Sequence, residues 1–222
     1  MSDVEEITTQ RSTVDEWTEG LAQSTGSPGG GAGAGVMLGI AASLTSMVAG
    51  YTEADPERRD RLSAILTRAE TLRQSALHLA DDDATASRAF GAAFKLDQGP
   101  ERDEAIREAA IGAAQTSAEL GDHAVAAIED LSWLTDHGKR AVIADVVVAF
   151  GALRAAVAGA RTNASFDLAT LKSSGSTLEE IHAQHPRLWN SVETLTTAIE
   201  RIDACTASID HRAAPTHADG ST

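Results

Sequence analysis

The sequence predicts an all-α protein, an antiparallel up-and-down bundle of five to six helices. Three observations carry that expectation. The 222-residue chain is rich in alanine and holds only one tyrosine, four phenylalanines and three tryptophans. Alanine is the strongest helix former, and residues that favour strands are scarce. Apolar residues recur at alternating three- and four-residue spacing through several long segments, the seam of helices packed side by side. No segment reads as a strand and no internal repeat is evident. The length suits one domain, expected over residues 1–212, followed by a polar tail at 213–222 with the composition of disorder.

The first helix starts at Thr13. Thr13 and Glu16 form a Thr-x-x-Glu capping box, and Trp17 and Leu21 follow on one face. The Ser/Gly/Pro cluster from Ser24 to Gly31 ends it, and a second helix runs from about Gly33 to Tyr51. Asp55-Pro56 opens the third, with Asp55 as cap and Pro56 in the first turn. Its seam reads Leu62, Ile65, Ala69, Leu72, Ala76, Leu79, Asp83, Ala86 and Phe90. After LDQGPERD (Leu96 to Asp103) breaks the pattern, a fourth helix carries Ile106, Ala109, Ala113, Leu120, Ala124, Ala127, Leu131 and Leu134 on one face. DHGK, Asp136 to Lys139, is a turn. The fifth helix, roughly Ala141 to Leu171, is apolar almost all round and should be central. Thr177 and Glu180 repeat the capping box ahead of a sixth, with a seam of Leu178, Ile181, His185, Leu188, Val192, Leu195, Ile199 and Ile202. A kink is expected at Pro186.

A formal charge of −15 leaves no basic stripe to neutralise phosphates, so no nucleic-acid partner is expected, nor an acidic membrane surface. Any anionic ligand would need a local positive field. The lone Cys205 has no partner for an internal disulfide, and MSDVEEITTQ is acidic and polar, unlike a secretory or transit leader. Together they point to the cytoplasm. His78, His123, His137 and His182 stand at no metal-ligand spacing from one another or from Cys205, and no metal is expected.

The oddest stretch is SPGGGAGAGVMLGIAASLTSMVAGY, Ser27 to Tyr51. Gly29 to Ala34 satisfies G-x-G-x-x-A in form, but it follows the polar segment EWTEGLAQS and no buried strand, which argues against a dinucleotide site. No Gly-Lys-Ser/Thr ending makes it a phosphate loop. Gly33 to Tyr51 is uncharged and contains Gly35-x-x-x-Gly39, yet it is only moderately hydrophobic and its C-terminal flank is acidic, so no membrane span is expected. Two readings remain. One is a hinge followed by a small-residue helix whose Gly35, Gly39, Ala41, Ala42, Ala49 and Gly50 let neighbours pack closely. The other is an anion pocket of backbone N–H groups crowded at a helix start.

Asp83 interrupts an apolar seam, and an unpaired carboxylate inside a core is expensive. Alternatively, the adjacent Asp81 and Asp82 place the whole acidic run in solvent at a kink. On the fifth helix Asp145, Ala149, Ala152, Ala156, Gly159, Asn163 and Phe166 or Asp167 share one face, small in the middle and polar at both ends. Such a face leaves room for something flat or for a tightly packed helix, and Asp145 and Asn163 could equally bond between helices within the core. His185 reads as a structural histidine.

Four segments stand in an order and at separations that match a known family. They are SPGGGAGAGVMLGIAASLTSMVAGYT, LADDDATASRAFGAAFKL, HGKRAVIADVVVAFGALRAAVAGA and ARTNASFDLATLK. Through them, over about residues 13–205, the chain resembles the cyclodeaminase/cyclohydrolase family of folate enzymes. That family includes the C-terminal domain of formiminotransferase-cyclodeaminase and stand-alone bacterial methenyltetrahydrofolate cyclohydrolases. The resemblance implies an all-helical fold, a homodimer or higher assembly, and a folate cleft near the subunit interface. It implies a tetrahydrofolate derivative as substrate, with either of two reactions. One hydrolyses 5,10-methenyltetrahydrofolate to 10-formyltetrahydrofolate, the expected activity. The other expels ammonia from 5-formiminotetrahydrofolate.

Residue by residue, the resemblance places Asp83 at the family's aspartate and Asp145 at the carboxylate of its Ser-Asp pair, the two expected catalytic residues. Asn163 and Asp167 fall on its two asparagines, Lys95 on the lysine of Phe-Lys-Leu, and Pro28, Gly29, Gly30 and Gly31 on the glycine loop. These are the expected substrate contacts. The chemistry suits the residues. Methenyltetrahydrofolate is a delocalised amidinium cation, and adding water to it needs a base for the water and then an acid for the departing ring nitrogen. A semi-buried carboxylate with a raised pKa, here Asp83, supplies both and balances the cation. Asp145 and Asn163 would accept from the pterin edge, while the glycine loop and Lys95 would hold the glutamate carboxylate. Departures stand beside these matches. Ala32 and Ala144 replace serines, Lys139 and Asp167 replace asparagines, no proline follows Leu96, and basic residues are scarce after Thr52. Losing such donors, at about 1–3 kcal/mol each, admits a different imine-type substrate or a folate-binding dimer without catalysis.

Overall fold

The computed structural model describes residues 7–24, 26–53, 55–173 and 175–213, and among them the chain is all helix with no strand. The order is α1 (Val14–Leu21), α2 (Gly30–Tyr51), α3 (Arg59–Ala93), α4 (Pro100–His137), a 3-10 turn at Arg140–Val142, α5 (Ile143–Ser173), α6 (Leu178–Gln184) and α7 (Pro186–Ala213). The expected tail lies, apart from Ala213, outside the described residues.

The seven α-helices among the described residues exceed the five to six expected, and Pro186 is the reason. Its ring and missing N–H stop the ladder. His185 leaves helical geometry at φ −126°, ψ 51°, and Pro186 takes the first position of a new helix, where no N–H is needed. What reads as one kinked helix is therefore two. Both capping boxes form. Thr13 Oγ1 accepts the Glu16 N–H at 3.2 Å and Thr177 Oγ1 accepts the Glu180 N–H at 3.2 Å, each glutamate bonding back to the cap N–H. Asp55 caps a turn instead of a helix: its Oδ1 accepts the Arg58 N–H at 3.0 Å, and α3 begins one residue later. Leu21, expected inside with Trp17, is exposed, while Trp17 packs on Ala32 and Ala80.

α2 and α5 pack on one another at the centre, with α3 against α2, α4 against α3 and α5, and α7 closing over α4 and α5. The core between them is aliphatic, with Leu38, Ile65, Leu131, Phe150, Leu153 and Ile202 fully buried. Each such side chain contributes about 1.5–3 kcal/mol on burial. Glycine sets how closely α2 is approached. A Cβ at Gly35 would lie 2.7 Å from Ala80 Cβ, and one at Gly159 2.9 Å from Ala34 Cβ. The close-packing reading of the glycine stretch therefore holds along the body of α2, except at Gly50, where nothing lies nearby. By length and composition α2 and Arg140–Ser173 could each cross a membrane; here they are the helices on which the others pack.

Two features of this frame matter below. Asp130 on α4 is only 6% exposed, and the Arg68 guanidinium grips it with bonds of 2.8 and 2.7 Å while Arg61 stands at 3.7 Å. A buried acid is affordable when it is paired in this way. The second feature is the outer face of α2, where Met37, Ile40, Met47 and Tyr51 are exposed in a line with the half-buried Leu44. The helix carries no charged residue.

Candidate active site

Two tight contacts bring the start of α2 onto the middle of α3. The segment before it turns at Gly26, whose φ of 84° suits glycine. Ser27 Oγ then donates to the Ala84 carbonyl at 3.1 Å and accepts from Arg88 Nη1 at 3.3 Å. Ser27–Pro28 is a cis peptide. From Gly29 the chain enters the helix with no side-chain cap, so the first N–H groups of α2 have no partner within the helix and face α3.

Asp83 meets them. It is only 8% exposed, and its seam position is real; the alternative of an acidic run in solvent is overturned for this residue. A Cβ on Gly31 would fall on its carboxylate, 2.6 Å from Oδ2 and closer still to Oδ1 and Cγ. Only glycine leaves the space. The Ala32 N–H bonds the carboxylate, but Oδ2 has no partner among the described residues. Unlike Asp130, Asp83 has no cation beside it among the described residues. Burial therefore dominates and pushes its pKa up, with the Ala32 N–H pulling the other way.

Asp83 opens onto a cavity of about 250 Å³ bounded by four helices. α2 gives Gly30 and Gly31, α3 gives Ser87 and Phe90, α4 gives Ala113 and Ser117, and α5 gives Asn163, Phe166 and Asp167. Asp167 is half-buried, and its carboxyl is pushed up to about 7, first by burial and then by the charge of Asp83. Phe166 is 72% exposed and stands at the rim, with Phe90 on the opposite helix. Among the described residues no lysine, arginine or histidine lines the cavity. Two carboxyls, one amide, two hydroxyls and two aromatic rings make a site for a flat, polar molecule with positive charge.

Residues 13–184 match the family model described as formiminotransferase-cyclodeaminase. The chain belongs to the formiminotransferase-cyclodeaminase family. Among solved structures its fold is similar to that of formiminotetrahydrofolate cyclodeaminase from Thermotoga maritima. The TM-score is 0.76 over 91% of this chain and 96% of that one, at 19% sequence identity. No curated protein matches significantly.

Of the residues that the family resemblance selects, the structure brings together Gly30, Gly31, Asp83, Asn163 and Asp167. Pro28 and Gly29 stand half-buried just ahead of them. Lys95 does not join the cavity; it is exposed in the turn after α3, roughly 18 Å along the helix direction from Asp83. Asp145 does not join either. It lies in the first turn of α5, about 27 Å along the axis from Asn163. Sharing a face of one helix places both on the same side and leaves them at opposite ends of the bundle. Two polar lining residues escape the sequence reading. Ser87 sits one turn beyond Asp83, and Ser117 fills the gap between Ala113 and Leu120 on the fourth seam, a polar interruption of the kind that betrays Asp83. Among the described residues no three His, Cys, Asp or Glu side chains gather as a metal cluster.

Proposed function

We propose that this chain is a folate one-carbon enzyme that hydrolyses 5,10-methenyltetrahydrofolate to 10-formyltetrahydrofolate. The observation that carries the reading is Asp83, a buried carboxyl without a cation, pressed against Gly31 and open to a cavity of molecular size. An amidinium cation bound there supplies the missing positive charge. Burial raises the carboxyl's pKa and so makes it a stronger base for the incoming water. Phe90 and Phe166 would face the flat ring system, Asn163 would bond the pterin edge, and Lys95, five residues beyond Phe90 in the turn after α3, would meet the outlying glutamate carboxylate. Asp145 has no place in this scheme within one subunit.

A second reading, deamination of 5-formiminotetrahydrofolate, is favoured by what the family and the Thermotoga protein are named for. The two are separated by giving the purified chain each substrate. Loss of the near-ultraviolet absorbance of methenyltetrahydrofolate marks hydrolysis, and ammonia release from the formimino compound marks deamination. Calorimetric binding of a folate with neither turnover would leave a binding protein.

A homodimer is part of the same proposal, and the outer stripe of α2 supports it. In a chain of net charge −15, Met37, Ile40, Leu44, Met47 and Tyr51 form an uncharged line on which two like-charged copies can meet. Light scattering is expected to give twice the chain mass for the native protein and the single mass for Ile40→Glu/Met47→Glu. A native monomer would remove the dimer from the proposal.

A further inference from the structure

The scheme above uses one carboxyl, and the cavity holds two. Asp167 projects from α5 into the same space as Asp83, and it has neither hydrogen bond nor ion pair among the described residues. Among the described residues no facing element neutralises either acid. α2 offers only the backbone of Gly30 and Gly31, α4 offers Ala113 and Ser117, and α5 adds Asn163 and Phe166. On α3 the nearby cation Arg88 is exposed and turned to Ser27 and Thr85, at 3.3 and 3.0 Å. Asp83 is more than nine-tenths buried with Oδ2 unbonded. That carboxyl and the half-buried Asp167 around a space of about 250 Å³ cannot both ionise cheaply, while one proton between them relieves the repulsion.

We propose that Asp83 and Asp167 act as a pair holding a single proton, Asp83 the base for the entering nucleophile and Asp167 the acid for the departing nitrogen. The proposal rests on the folate reading for its substrate. The upward push on both carboxyls, that on Asp167 coming partly from Asp83 itself, accords with it. The protons balance. In hydrolysis, water oxygen bonds the amidinium carbon and gives a proton to Asp83. Asp167 protonates the ring nitrogen as the C–N bond breaks, and the remaining hydroxyl proton passes to the vacated carboxylate as the formyl C=O forms. The pair ends with two protons, and release of one to solvent accounts for a cation becoming a neutral product. In deamination of the protonated formimino group, the attacking ring amine gives its proton to Asp83 and Asp167 gives one to the departing ammonia; the formiminium charge passes to the methenyl product, and the pair again holds a single proton, now on Asp83.

The test is Asp167→Asn, assayed across pH and titrated in the free protein. Wild type is expected to lose kcat/KM as pH rises through about 7, where the second proton leaves the pair. Asp167→Asn is expected to lose that limb, to lower kcat about 100-fold with KM little changed, and to be partly rescued as Asp167→Glu. Carbon NMR of carboxyl-labelled aspartate in the free protein is expected to show two coupled steps in wild type. In Asp167→Asn a single Asp83 step should remain, moved to lower pH. An unchanged limb and rate, or independent titrations, would overturn the pair. Coupled titration in a protein that turns over neither folate would sustain the pair and remove the folate reading instead.

Discussion

Asp83→Asn is expected to lower kcat on the one-carbon folate by at least about 100-fold while leaving the fold intact. Asparagine keeps the shape and the acceptor facing the Ala32 N–H, but it neither takes a proton from water nor balances a cation. The stability of the variant separates this from a packing defect. Burial raises the Asp83 pKa above its ordinary 3.8, so the folded chain binds this proton more readily than the unfolded chain does. Folded stability is then full below that ordinary value and is lost as pH rises through the folded pKa. The asparagine variant escapes the loss. Its melting temperature should match wild type at low pH and equal or exceed it at pH 8. Higher stability with lost activity marks a strained functional group. A variant that melts earlier at pH 8, or turns over normally, would remove Asp83 from the mechanism.

Gly31→Ala is expected to damage the site through a single methyl group. The added Cβ overlaps the Asp83 carboxylate, so either the side chain leaves the cavity wall or α2 backs away from α3. Overpacking of this kind costs about 1–3 kcal/mol, and displacement of a catalytic group by about 1 Å costs on the order of 100-fold in rate. Gly33→Ala is the control. Two residues on, an added Cβ meets nothing within 4 Å, and alanine in a helix gains about 1 kcal/mol over glycine. That variant should melt later and keep full activity. Equal behaviour of the two would mean that the glycines serve helix packing alone. The comparison uses thermal melts and turnover on the same preparations.

How far these residues could be read from the sequence depended on the kind of signal each carried. The seam from Leu62 to Phe90 is legible because burial of one helical face imposes a three-and-four spacing, and every deviation from it stands out. Asp83 is such a deviation, and it is buried as the seam requires. Ser117 carries the same signal on α4, but serine is common enough inside helices to pass unnoticed. The boxes at Thr13 and Thr177 are legible because their hydrogen bonds are local. The split at His185–Pro186 and the late start of α3 at Arg59 are less so, since proline and aspartate signal an interruption without saying whether the chain bends or breaks.

Asp145 shows a different limit. Periodicity gives a residue's angle around the helix and not which neighbour lies beside it at that height. Asp145 and Asp167 share an angle on α5, yet they stand roughly 33 Å apart along its axis. Only the packing of α2 and α4 on α5, with α3 against α2 and α4, selects Asn163 and Asp167 as the residues that share a cavity with Asp83. The glycine stretch likewise serves two purposes that composition cannot divide. Gly31 clears the site, while Gly35 lets α3 approach.

A crystal structure with a stable reduced folate bound tests the central claim most directly. The expected result places the one-carbon end of the ligand in the cavity between Gly31 and Asp167, with its nitrogen or oxygen atoms within hydrogen-bond distance of the Asp83 carboxylate. A ligand seated elsewhere, or one whose one-carbon end points away from Asp83, would contradict it.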